Sequence, residues 1–148
     1  MESFSMEPLD GASPDPDRLP RWLSDGESYG VEFKSEERGR FNDRDLVEAV
    51  VRLANGTGGV LLIGVEDDGR VTGARARHEG GQIDVLRVQA LIANQTQPPI
   101  STTVTVVEQG DMPVLVVQVP DSPRVVGTTR GTYARRAIGA DGRPTCLP

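Results

Sequence analysis

The sequence predicts an α+β fold, a β-α-β-α-β-β core whose mixed sheet carries its helices mainly on one face. Two observations predict it. Extended and helical patterns alternate through the first part of the chain, and two extended runs then follow one another as a hairpin. The stretch Glu27 to Gly69 condenses the first half of that order: ESYGVEFK, a short basic link, then NDRDLVEAVVRLANGTGGVLLIGVEDDG read as strand, helix, strand. A chain of 148 residues is long enough for one such domain with a real core and ends to spare.

Taken in order, residues 1–16 (MESFSMEPLDGASPDP) are polar and Pro-rich and read as a disordered leader to a domain over 17–140. Leu19, Trp22 and Leu23 stand at i, i+3 and i+4, the spacing of a short amphipathic helix. Trp22 either docks that helix on the core or offers a ring for base stacking. Val31 and Phe33 alternate with Glu32 and Lys34, a half-buried strand over about 29–34. The loop SEERGRF carries Arg38 and Arg40. Asn42 is an N-cap, Phe41 and Leu46 occupy the staple positions, and a helix over 43–54 buries Leu46, Val47, Val50, Val51 and Ala54. Asn55-Gly56 supplies a stop suited to positive φ.

Val60 to Val65 is an apolar run for a strand covered on both faces. Asp68-Gly69 then signals a tight turn with Arg70–Thr72 returning. Residues 74–82 read as a loop with an incidental His78. A second helix over about 82–95 places Ile83, Leu86, Ala90 and Ala93 on one face with Val85, Val88 and Ile92 beside it, and Pro98-Pro99 ends it. Ile100–Val107 alternates as a third strand, a turn at 109–111 leads to a fourth strand over Val114–Val119, and a last strand falls near 132–137. Residues 141–148 are a tail or the start of a further region.

Charge is unevenly spread. The net charge is −6, yet residues 1–37 hold ten acids against Arg18, Arg21 and Lys34, leaving the remainder with thirteen arginines against twelve acids. All basic residues but Lys34 are Arg, which suits bidentate contact with phosphate and equally suits a GC-rich coding bias. Cys146 is the single cysteine, so neither an internal disulfide nor a cysteine-built zinc site can form. No signal peptide or membrane-length apolar run is present, and the expected location is cytoplasmic. There is no GxxxxGK[ST], so nothing supports ATP hydrolysis.

Some residues carry chemistry as well as structure. Thr57-Gly58-Gly59 is either a helix stop with a tight strand entry or a glycine turn approaching a phosphate. Glu66, Asp67 and Asp68 are either turn residues or ligands for a divalent cation. Tyr133 with Arg135, Arg136 and Arg130 is the densest aromatic-plus-arginine cluster, a combination that stacks on bases and pairs with phosphates. The competing reading is a tyrosine at a sheet edge with solvated arginines. With Lys34, Arg38 and Arg40 these four form the candidate nucleic-acid set, on the expectation that the sheet joins both groups in one continuous cationic surface.

The motifs ESYGVEFK (27–34), LANGTGG (53–59), GVEDDG (64–69), PVLVVQVPDS (113–122) and TYARR (132–136) together resemble, in this order, the AlbA-2 or Schlafen-type DNA-binding domain. The resemblance covers about residues 19–140. It implies an Alba-like fold, a DNA- or RNA-binding module of a bacterial transcriptional regulator, and a C-terminal effector domain outside this chain. It also implies an alternative, a metal-dependent endoribonuclease: Glu27 and Glu32 match its Glu-x4-Glu element, and Asp67 or Asp68 would complete a carboxylate trio for Mg²⁺ or Mn²⁺. Residues five apart on a regular strand face opposite sides, so that trio requires a bend between Glu27 and Glu32. Otherwise Glu32 pairs with Lys34, and Glu27 is an exposed acid at a helix end. Outside that alternative no cofactor is expected. The third class is a protein-interaction or homodimerisation module using the exposed hairpin edge.

Overall fold

The computed structural model describes residues 18–147; the leader assigned to 1–16 lies outside them. The predicted order is present. α1 (Leu19–Asp25) leads into β1 (Val31–Lys34), α2 (Asp43–Ala54), β2 (Gly59–Ile63), α3 (Val85–Asn94), β3 (Thr96–Gln97), β4 (Thr103–Gln109) and β5 (Met112–Val119). β6 (Gly127–Thr128), β7 (Arg135–Ile138) and β8 (Pro144–Leu147) follow. The main sheet has the order β1-β2-β5-β4. β1 and β2 are parallel, as the helix crossover between them requires, while β5 runs antiparallel to both β2 and β4. β3 pairs with β6, and β7 with β8, in two small antiparallel ribbons.

The helix that the sequence places at 43–54 has those bounds because both ends are marked. Asn42 is extended, and its side chain accepts a hydrogen bond from the Asp45 N–H, with Asp43 and Asp45 in the first turn favouring the helix dipole. Its stop differs from the expectation: Asn55 stays right-handed (φ −77°), and the positive φ falls at Gly58 (φ 78°). Asn55 instead uses its side chain, as described below.

The two faces of the sheet bury separate cores. Leu61, Ile63, Val104, Leu115 and Val117 pack under α2 and α3. Phe33, Val60, Leu62, Val114 and Val116 pack under α1, where Leu19 is fully buried and Trp22 partly so. Trp22 is therefore the docking residue of a short helix. α3 departs from the expected face. Only Val88 and Ile92 of the helix are buried, whereas Leu86, in the first turn capped by Asp84, is 69% exposed. The hairpin at Asp68-Gly69 reduces to one bridge, Val65 to Val71. Segment 144–147, assigned to a tail, pairs with β7.

Candidate nucleic-acid interface

β1 is an edge strand, so α2 alone does not roof its inner face. β7 closes the gap from the far end of the chain. Glu32 points into that space and is only 3% exposed, and the pairing with Lys34 that the sequence offered is present within a larger cluster. Its Oε1 accepts from Arg136 at 2.7 Å, and its Oε2 meets Arg52 at 3.2 Å and Lys34 at 3.1 Å. Arg136, also 3% exposed, spends its other donors on the carbonyls of Ser28, Tyr29 and Val31. A buried carboxylate is tolerated only when paired and hydrogen-bonded, and here it is both. Arg136 is thus a fastener between β7 and β1 and does not stand on the surface with Arg130 and Arg135.

The chain does bend between Glu27 and Glu32, through a Ser28–Val31 bridge. Glu27 is not the exposed helix-end acid. Its Oε2 accepts the Phe33 N–H at 2.8 Å, and burial, followed by the nearby charges of Asp67 and Glu32, pushes its carboxyl above the usual range. The trio Glu27, Glu32 and Asp67 does not fit a metal ion. Both oxygens of Glu32 are held by three cations that would repel one. Among the described residues no group of three or more His, Cys, Asp or Glu side chains could hold a metal. Asp68 serves its turn, accepting the Arg70 N–H at 3.0 Å.

The arginine loop is organised by an acid that the sequence reading passed over. Glu36 is fully buried; its carboxylate accepts from the N–H groups of Phe41 and Arg75 (each 2.6 Å) and pairs with Arg77 at 2.8 Å. The guanidinium of Arg77 also donates to the Phe41 carbonyl. That anchoring leaves Arg38 exposed and Arg40 paired with Asp43 at 3.2 Å. The loop enters α2 at its N-terminus.

Tyr133 belongs to the other end of α2. Asn55, just past the last turn, donates from Nδ2 to the carbonyls of Val126 (2.7 Å) and Ala134 (2.8 Å), and its Oδ1 accepts the Val126 N–H at 2.7 Å. One side chain thereby clamps the two segments that flank Tyr133. The ring lies against Gly127, where an added Cβ would come within 2.4 Å of it. The tyrosine is nevertheless 53% exposed. Tyr133, Arg124, Val125 and Arg135 line a cleft of about 240 Å³ floored by Asn55 and Ala134. Arg130 projects from the adjoining turn, closed by the Gly131 N–H on the Thr128 carbonyl.

The structure therefore brings together Tyr133 and Arg135 and adds Arg124 and Val125, which had no signal beyond their place after the PVLVVQVPDS run. It does not bring Arg38 and Arg40 to them. The twelve residues of α2 separate the two groups by roughly 18 Å at 1.5 Å per residue. The two groups expected to share one cationic surface thus lie toward opposite ends of α2.

Comparison with known proteins bears on this arrangement. Residues 27–142 match the Schlafen, AlbA_2 family. The chain belongs to that family. The matched span begins at Glu27 and runs through α2, the main sheet and β7, so it contains both the Glu32–Arg136 fastener and the Tyr133 cleft of this AlbA_2 domain. Among solved structures it is similar to the DIP2311 protein from Corynebacterium diphtheriae, with a TM-score of 0.65, 20% identity and 89% of this chain covered. The AlbA_2 chain spans 30% of that protein's length. It is also matched, at a TM-score of 0.45 and 24% identity over 72% of each chain, with the N-terminal domain of a RecG-related protein from Nitrosomonas europaea. No curated protein matches the chain. Among the described residues no helix is long and apolar enough to cross a membrane.

Proposed function

We propose that this AlbA_2 domain is a nucleic-acid-binding module, with DNA as its first partner, serving a transcriptional regulator. The observation that carries the reading is the Tyr133 cleft: a half-exposed aromatic ring, backed by Gly127, with Arg124, Arg130 and Arg135 exposed around it. Guanidinium groups pair with phosphate oxygens and release condensed counterions, which supplies affinity without reading sequence. The regulator setting is what the resemblance of its motifs to this family implies. An overall charge of −6 does not oppose the reading, because exposed charges farther apart than a Debye length of about 8 Å at physiological salt are largely screened.

The test is a fluorescence-anisotropy titration of labelled DNA and RNA across a salt series. Affinity is expected to fall steeply with salt, and Arg124→Ala and Arg135→Ala are each expected to reduce the slope of log K against log salt by about one. Binding that ignores salt, or variants that leave the slope unchanged, would remove the cleft as the contact site.

A further inference from the structure

We propose that the Tyr133 cleft takes one unpaired nucleobase of a strand, so that the domain prefers single-stranded to duplex nucleic acid; this rests on the nucleic-acid reading above. One side of Tyr133 is packed on the Gly127 backbone at a distance no side chain would permit, and about half of the residue remains open to solvent. A ring held from behind that also lines an open cleft is suited to stacking. In a duplex both faces of each internal base are already stacked on neighbours, so such a platform offers it nothing; an unpaired base gains a partner.

Rigidity supports the same conclusion. The clamp from Asn55 ties the backbone at Val126 and at Ala134, one residue from the tyrosine, so little freedom is lost when a base settles on the ring. The walls agree with an amphipathic guest. Val125 is 72% exposed and gives an apolar side, while Arg124 and Arg135 stand at the cleft where the phosphates flanking a docked base would lie. Size selects the form of the ligand. At about 240 Å³ the cleft is smaller than the roughly 300–1,000 Å³ that encloses a drug-sized ligand, so it admits one ring-sized group and leaves the remainder outside. A base on a strand satisfies that arrangement better than a free nucleotide, whose affinity would have to come from enclosure.

The experiment compares a labelled 20-nucleotide single strand of mixed sequence with its duplex, using wild type, Tyr133→Phe and Tyr133→Leu. The single strand is expected to bind the wild type about tenfold more tightly than the duplex. Y133F retains that preference because the ring is kept, and Y133L loses roughly tenfold on the single strand with the duplex unchanged. A strand carrying 2-aminopurine, read with the wild-type protein alone, is expected to lose emission in step with the anisotropy, which keeps the test valid if a variant fails to fold. Equal affinity for strand and duplex, equal loss on both in Y133L, or unquenched 2-aminopurine would overturn the base site while leaving nucleic-acid binding intact. Displacement of the strand by AMP at concentrations near the strand's own Kd would overturn it in favour of a free nucleotide. Absence of binding to either form would instead overturn the parent reading.

Discussion

Glu27 and Asn55 show how much one side chain can decide here. Burial raises the Glu27 carboxyl above 4.5, with Asp67 and Glu32 adding to the shift. In the window between the ordinary value and the raised one, the folded state holds a proton that the unfolded chain has released. Stability attributable to this group therefore falls as pH rises through that window and is level above it. Urea unfolding of wild type and the E27Q variant from pH 4 to 7 should show the variant gaining relative stability as pH rises. A constant difference would contradict the assignment. Asn55 makes three hydrogen bonds to backbone groups more than seventy residues away. Asn55→Ala leaves those groups without their partner and should cost about 1–3 kcal/mol by urea denaturation. It should also weaken nucleic-acid binding beyond what the lost stability explains, because the platform loses its clamp.

Among the elements, β7 is tied to β1 through one buried side chain, in addition to its ladder with β8 and the Asn55 bond to Ala134. Its Arg136 enters beside β1 and meets Glu32. Breaking such a buried pair from one side strands a charge, so Glu32→Ala should destabilise the domain by about 3–5 kcal/mol. The double variant E32L/R136M should recover part of that loss, since apolar replacement of a buried pair is itself close to neutral, the remainder coming from Arg52 and the Ser28, Tyr29 and Val31 carbonyls left without their partners. Thermal melts of the two variants separate this account from a metal-site account, in which the double variant would gain nothing over E32A in stability. The helices followed their sequence signals more closely than the small strands did. α2 has an N-cap, a wide apolar stripe and a stop. β7 and β8 are four-residue strands that pair with one another, and Arg136 ties β7 to β1.

At the scale of the whole molecule, the arginine loop and the Tyr133 cleft occupy the two ends of α2 and cannot act on one base. Arg38→Ala with Arg40→Ala is accordingly expected to change single-strand affinity by less than about threefold, whereas R124A with R135A lowers it by more than tenfold at low salt. Comparable losses in both pairs, measured by anisotropy, would mean that a bound strand tracks the length of the helix. The family, the α+β class, the core of α2 and β2 and the nearness of Tyr133 to Arg135 were legible in the residues, because periodicity, caps and local motifs are properties of neighbours along the chain. The destinations of Glu32, Glu36 and Arg136 were not. Each looks like a solvated charge in sequence, and each is buried because its partner arrives from elsewhere, in the case of Glu32 and Arg136 from 104 residues away. Local pattern says which residues want to leave water; only the assembled fold determines which charges find a partner good enough to follow them.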